Sequence, residues 1–137
     1  MRYPLRGTYL KYVLDTNIVS LVARKNKAAT KRYEQHIDEC VIPSIVWHEL
    51  QYGAHSMKEG PIKRQFLSFY DTLDHIIVTY DQKAAEYHAA ERIRLGSSKF
   101  VDAQIASIAV THNMVLVTAN TRDFKGFQGI QLEDWSH

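Results

Sequence analysis

The 137-residue chain has a single cysteine, Cys40, only 3 prolines and 6 glycines, and no long apolar run. One cysteine cannot form an internal disulfide, which favours a reducing compartment. Arg6 and Lys11 interrupt the N-terminal segment, so it lacks the apolar stretch of a secretory signal. No apolar run approaches the roughly 18 residues that a membrane span needs. These absences exclude a disulfide scaffold, a collagen-like repeat and a transmembrane protein, and they predict a soluble cytoplasmic protein.

The composition that remains is that of an ordinary globular protein, with 45% hydrophobic, 11% aromatic and 23% charged residues. The length predicts one domain over residues 1–137. The net charge is +2, but basic residues are concentrated in the first 35 positions. This distribution suggests contacts to an RNA backbone, and the alternative is an ordinary solvated helix face. The candidate contacts are Arg24, Lys25, Lys27, Lys31 and Arg32.

Short apolar segments with the composition of strands alternate with segments of helical periodicity. The predicted strands are Tyr9–Leu14, Cys40–Ile42, His75–Thr79, Met114–Thr118 and Gly129–Leu132. The predicted helices begin near Ile18, at Ile45 behind an N-cap at Ser44, at Pro61, after Asp81, and at Val101 with Asp102 leading the helix. Because the inner strands are continuously apolar, this order predicts an α/β fold with a parallel sheet covered by helices on both faces.

Four acidic residues follow or flank these predicted strands: Asp15, Glu49, Asp102 and Asp123. Ligands of parallel sheets bind outside the carboxyl ends of the strands, where these acids are expected to converge. Crowded carboxylates repel one another unless a cation compensates them, and Mg²⁺ and Mn²⁺ prefer oxygen ligands. Such a site suits metal-assisted chemistry on phosphate esters. The alternative is that Asp15 and Asp102 are helix caps and Asp123 is a turn residue.

Five segments together resemble the PIN-domain family, and more narrowly the VapC toxins of bacterial toxin–antitoxin pairs. They are YVLDTNIVS, VIPSIVWHELQYGA, VDAQIASIAV, MVLVTANTRDF and the closing GIQLEDW. The resemblance runs over nearly the whole chain and keeps the family's order. It implies a three-layer α/β/α sandwich with a mainly parallel sheet of about five strands. It also implies a homodimer, or a hetero-oligomer with a small VapB-like antitoxin that neutralises the enzyme.

The same resemblance implies an endoribonuclease that depends on Mg²⁺ or Mn²⁺ and cuts a structured RNA such as tRNA or rRNA. Carried over by motif, Asp15, Glu49, Asp102 and Asp123 are the catalytic acids and metal ligands, and Asn120 shares the role of Asp123. Water is expected to attack the phosphorus in line and leave 5′-phosphate and 3′-hydroxyl ends. The small polar residues expected to orient ligands or phosphate, or alternatively to serve as caps and strand ends, are Thr16, Asn17, Ser44, Thr118 and Asn120.

Two segments depart from the family's pattern. Met1–Thr8 precede its usual start and are expected to be either a disordered leader or a misassigned start, and the segment RLGSSKFVD before Asp102 is shorter than usual. Two alternative functions also stay open at this point. One is a PIN-like RNA-binding or regulatory module that does not cleave, and the other is an RNA-maturation nuclease that is not a toxin.

Overall fold

The computed structural model of the chain describes residues 10–73 and 76–137, and a five-stranded parallel sheet organises them. The strand order across the sheet is β3-β2-β1-β4-β5, and all four neighbouring pairs run parallel. The strands are β1 (Tyr12–Leu14), β2 (Cys40–Pro43), β3 (Ile76–Val78), β4 (Val115–Val117) and β5 (Leu132–Glu133). The predicted parallel sheet is therefore confirmed.

Seven α-helices and one 3₁₀ turn, Ile37–Glu39, connect the described strands. The helices are α1 (Thr16–Ala23), α2 (Lys27–Gln35), α3 (Ser44–His55), α4 (Pro61–Thr72), α5 (Gln82–Leu95), α6 (Phe100–Thr111) and α7 (Thr121–Phe124). Local chemistry accounts for several helix starts. Asp81 caps α5 by accepting the Ala84 N–H, Asn26 caps α2 by accepting the Ala29 N–H, and Pro61 begins α4, where its missing N–H costs nothing.

The helices form two groups, one on each face of the sheet. Helices α1 to α4 pack against one another, whereas α5 packs against α6, and α6 packs against α7 and β4. This arrangement is the predicted α/β/α sandwich. From β1 the chain adds β2 and then β3 on one side of the sheet, and it later adds β4 and β5 on the other side of β1. The direction of winding therefore reverses between β1 and β4. The carboxyl ends of these two strands therefore border the crevice in which ligands of such sheets bind.

The core is built from the continuously apolar inner strands and the helix faces that cover them. Val13 of β1, Val41 of β2 and Leu116 of β4 are fully buried, as the apolar runs predict for a sheet covered on both faces. Helix α6 is buried along most of its length, and Trp135 beyond β5 is fully buried.

Several predicted boundaries are wrong. The last strand spans Leu132–Glu133 rather than Gly129–Leu132. Ser44 is the first residue of α3 rather than its N-cap, because the helix follows directly from Pro43 and no side chain caps it. Helix α6 begins at Phe100, so Asp102 lies within its first turn instead of leading it. Asp123 lies in the short helix α7 and not in a loop, because only four residues wind into that helix and their sequence carries no helical periodicity.

Some predictions lie outside the described residues. The expected leader, Met1–Thr8, and His75 at the start of the predicted third strand belong to this group. Among residues 10–73 and 76–137, no helix is long and apolar enough to cross a membrane.

Candidate active site

Asp15 lies where β1 ends and α1 begins, at the point where the winding direction reverses. Its Oδ1 accepts the Thr16 N–H at 2.8 Å, which caps α1. Its Oδ2 accepts a hydrogen bond from the Thr118 hydroxyl at 2.8 Å, just beyond β4. Burial raises the pKa of Asp15, and the hydrogen bonds from Thr118 and Thr16 partly offset that effect. The predicted helix cap is confirmed, and the same carboxylate is also tied to the neighbouring strand.

A small polar network holds Thr118 and therefore Asp15 in place. The fully buried Thr118 Oγ1 accepts hydrogen bonds from the Asn120 N–H at 3.0 Å and from the Asn17 side-chain amide at 3.4 Å. Asn17 Oδ1 in turn accepts the Ala119 N–H at 3.0 Å. Since both partners that approach Thr118 are donors, its single hydroxyl proton must point to Asp15. The network joins the ends of β1 and β4 through groups that the sequence singles out.

Asp102 faces this network from the first turn of α6. Its pKa is raised by burial, then by the negative charges of Asp15 and Asp123, while Lys99 acts in the opposite direction. Asp102 in α6 is therefore close enough to Asp15 at the end of β1 and to Asp123 in α7 to be affected by their charges, although burial is the larger cause of its raised pKa. Their shared role as metal ligands stays a prediction.

Lys99 is a basic side chain that lies beside these acids and that the sequence analysis did not single out. Its Nζ lies 3.7 Å from Asp123 Oδ1 and donates a hydrogen bond to the Asp123 carbonyl oxygen at 3.3 Å. Lys99 immediately precedes α6 and belongs to the shortened segment RLGSSKFVD. Its position next to the Asp102 motif is the signal that could have identified it.

Glu49 is exposed on α3, and no contact joins it to the other three acids in the described part of the chain. Its predicted role therefore stays a prediction. Ser44, also exposed, borders a separate cavity of about 300 Å³ between α3 and α6. Asn120 is exposed and contributes its backbone N–H to the Thr118 network.

The predicted basic group, Arg24, Lys25, Lys27, Lys31 and Arg32, does not line the cavity beside Asp123, and its contact with RNA stays a prediction. Arg32 instead lies 3.3 Å from Glu133 and covers the ring of Trp135, so it stabilises the C-terminal segment. The cations that line the cavity beside Asp123 come from α5, from the residue before α6, and from α7 and the residue after it, and sequence reasoning missed them. The sequence does contain a signal for them, since basic residues flank Asp102 and Asp123. A search for a single stretch of clustered charge does not find such scattered residues. These residues are Arg92, Lys99, Arg122 and Lys125.

The donor set fits a hard divalent cation in its chemistry. Asp15, Asp102 and Asp123 offer carboxylate oxygens, the ligands that such a cation prefers, and Lys99 is the basic side chain paired with one of them. Within residues 10–73 and 76–137, no three acidic, histidine or cysteine side chains are arranged as a ready-made ligand set. Mg²⁺ commonly keeps several waters and takes only one or two carboxylates directly, so an open group of acids suits it.

Comparisons with known proteins were made on both sequence and structure. The family model described as PIN domain matches residues 12–129. The tRNA(fMet)-specific endonuclease VapC of Shigella flexneri is 33% identical, and the alignment covers 93% of this chain and 99% of that protein. VapBC2 from Rickettsia felis, bound to a DNA fragment from its promoter, has a TM-score of 0.77 at 28% identity over 92% of this chain and 99% of the other. DNA-bound VapBC from Salmonella typhimurium has a TM-score of 0.76 at 31% identity, with 92% and 98% covered.

Proposed function

Since the chain belongs to the PIN-domain family and to its VapC ribonucleases, it is an endoribonuclease of the toxin–antitoxin class, and we propose that it requires Mg²⁺ or Mn²⁺ and cuts a structured RNA. The observation that supports the metal requirement best is the proximity of Asp15 and Asp123 to Asp102, whose pKa is raised by burial and further by the charges of these two acids. A pseudo-enzyme would have no need to keep such a repulsive group.

In this proposal Asp15, Asp102 and Asp123 hold the cation, with Glu49 contributing from α3. A bound divalent cation lowers the pKa of water and stabilises negative charge on the phosphoryl and leaving oxygens. Thr118 donates to Asp15 Oδ2 and keeps that carboxylate in one orientation. Lys99 supplies positive charge next to Asp123, where a substrate phosphate would approach. The products are expected to carry 5′-phosphate and 3′-hydroxyl ends.

The substrate proposed first is tRNA, because the relative from Shigella flexneri is named for that activity. Ribosomal RNA is the second candidate. We also propose a cytoplasmic location, where either RNA occurs.

The direct test is digestion of total bacterial RNA by the purified chain in Mg²⁺, in Mn²⁺ and in chelator, with new 5′-phosphate ends mapped by sequencing. Asp102→Asn removes one of the converging charges, and Asp71→Asn, an exposed position on α4, is the matched control. Wild type and Asp71→Asn are expected to give the same discrete, metal-dependent cuts, which are absent for Asp102→Asn. Cuts that persist in chelator or in Asp102→Asn would contradict the proposed site. Absence of any cut by well-folded wild type would favour the binding-module alternative.

We propose a small VapB-like antitoxin as the protein partner, because two of the similar solved structures are VapBC complexes on DNA. If a gene for a small DNA-binding protein lies next to the gene of this chain, co-expression of the two is expected to yield a stable complex that no longer cuts RNA. An RNA-maturation nuclease would have no such neighbour, and its cleavage would be unaffected by co-expression.

A further inference from the structure

Lys99 is held on Asp123 by two contacts. Its Nζ lies 3.7 Å from Asp123 Oδ1 and donates a hydrogen bond to the Asp123 carbonyl oxygen at 3.3 Å. In the described part of the chain, no other basic side chain forms an ion pair with Asp15, Asp102 or Asp123. Lys99 is therefore the counter-charge that the protein itself supplies to these acids.

The charge of Lys99 also reaches a second acid. Lys99 lowers the pKa of Asp102, against the larger effects of burial and of the two neighbouring carboxylates. The side chain of Asp102 makes no hydrogen bond within residues 10–73 and 76–137, whereas that of Asp15 accepts two. Lys99 thus compensates the acid that has the fewest other partners.

The backbone of Lys99 is anchored on both sides. Arg92 Nε donates to Ser97 Oγ at 2.7 Å, and the Arg92 guanidinium lies 5.2 Å from the centre of the Phe100 ring. The Ala103 N–H donates to the Lys99 carbonyl oxygen at 2.8 Å, which joins Lys99 to the first turn of α6. These contacts tie the connection between α5 and α6 to both helices, so the base of the Lys99 side chain has a defined position beside the acids.

The ammonium end of Lys99, in contrast, has room to move. The side chain is 52% exposed and borders the cavity of about 340 Å³ beside Asp123. An exposed ion pair between flexible side chains is weak, and an ammonium is strongly hydrated on a flexible four-carbon stem. Lys99 can therefore leave Asp123 by a change of side-chain rotamer, without a movement of the backbone.

A divalent cation and the ammonium group compete for the same carboxylate. They repel each other when both are close to Asp123, and the divalent cation attracts the carboxylate with twice the charge. We propose that Lys99 is an exchangeable counter-ion, which neutralises Asp123 until a divalent cation binds and then moves into the adjoining cavity. This inference rests on the proposed metal requirement and gives a role to a residue of the shortened segment RLGSSKFVD.

Such a counter-ion has opposite effects on two measurable quantities. Removal of its charge strengthens metal binding, because the cation no longer has to displace an ammonium group. The same removal slows cleavage at saturating metal, because the displaced ammonium group is positive charge that stays beside the substrate phosphate. A residue that only maintains the shape of the site would weaken metal binding and cleavage together.

The test measures metal binding directly. Mn²⁺ is titrated into the full chain after removal of metal by chelator and dialysis, and free Mn²⁺ is followed by its electron paramagnetic resonance signal. Lys99→Gln removes the charge, and Lys99→Arg keeps it. Lys125→Gln is the matched control, because Lys125 lines the same cavity and is exposed but pairs with none of the acids.

Lys99→Gln is expected to lower the Kd for Mn²⁺ about three- to tenfold, a modest change because the ion pair is exposed. Lys99→Arg should bind Mn²⁺ like wild type, and Lys125→Gln should change the Kd less than about twofold. At saturating Mn²⁺, Lys99→Gln should cleave RNA several-fold more slowly than wild type. An unchanged or higher Kd for Lys99→Gln would overturn the inference. So would an equal fall for Lys125→Gln, because it would reveal a general effect of positive charge.

Cleavage by wild type separates the inference from the function on which it rests. If wild type cuts RNA and Lys99→Gln binds Mn²⁺ no more tightly, the counter-ion role is wrong and the ribonuclease function stands. If Lys99→Gln binds Mn²⁺ more tightly but wild type cuts no RNA, the ribonuclease function is wrong and the counter-ion role stands. If neither protein binds Mn²⁺, the counter-ion role and the metal requirement are both wrong.

Discussion

Thr118→Val tests whether one buried hydroxyl positions Asp15. Valine has nearly the shape of threonine but can neither donate nor accept a hydrogen bond. The substitution removes the 2.8 Å bond to Asp15 Oδ2, leaves the Asn120 N–H without its 3.0 Å acceptor, and removes the longer 3.4 Å bond from the Asn17 amide, which is too weak to change the sum. Loss of a hydrogen bond to an ionised group costs about 1.5–3 kcal/mol, and a neutral one costs about 1 kcal/mol. Added burial of a methyl group offsets about 0.8 kcal/mol. The free energy of unfolding is therefore expected to fall by about 2–3 kcal/mol.

Thr118→Ser is the matched control, because it keeps the hydroxyl and removes only a methyl group. Its cost is expected to be about 1 kcal/mol, and its cleavage rate should stay near that of wild type. Urea unfolding measures stability, and RNA cleavage is measured at a temperature at which all variants are folded. Thr118→Val should cleave at least tenfold more slowly than Thr118→Ser, since a carboxylate without its orienting partner loses roughly 10- to 100-fold in metal affinity or activity.

A double-mutant cycle with Asp15→Asn isolates the bond between the two residues. If Thr118 acts through Asp15, the double variant is expected to cost less than the sum of the single variants, with a coupling of about 0.5–3 kcal/mol. Strict additivity, or a Thr118→Val protein as stable and as active as wild type, would refute the positioning role.

Three further outcomes are expected. Asp102→Asn should raise the free energy of unfolding in chelator at neutral pH, because burial and the charges of Asp15 and Asp123 raise the pKa of Asp102, so that its ionisation opposes folding. This gain should disappear below the ordinary pKa of 3.8, at which the carboxyl is protonated in both states. Urea unfolding over a range of pH measures it, and the absence of a gain at neutral pH would contradict the prediction. Mg²⁺ at 100 times its Kd should stabilise wild type by about 2.7 kcal/mol and Asp102→Asn by less, and equal shifts in Tm would place the ion elsewhere. Glu91→Gln should lower the free energy of unfolding by about 2–3 kcal/mol above pH 4.5, because the hydrogen-bonded Arg94 lowers the pKa of Glu91. This loss should shrink as the pH falls through the lowered pKa. A loss that does not depend on pH would show that the ion pair is not its source.

Much of the fold follows from the sequence because its signals are local and repeated. The apolar runs around Val41 and Leu116 predict strands buried on both faces, and Asp81 and Pro61 mark helix starts. Alternation of strands with helices then predicts a parallel sheet, and strand ends followed by acids predict where Asp15 lies. Helix starts without a side-chain cap, as at Ser44 and Phe100, leave no such signal and are misplaced.

The composition of the site was decided only by tertiary structure. Asp15, Asp102 and Asp123 carry the same local signals as helix caps and turn residues, and only the strand order, with β1 next to β4, brings them within reach of one another's charge. Arg122 and Lys125 are unremarkable in sequence because they are separated from Leu95 by a whole helix, yet packing of α5 against α6 and of α6 against α7 places all three in one cleft. Sequence patterns report which face of an element is buried, whereas contacts between distant elements depend on how the whole chain packs.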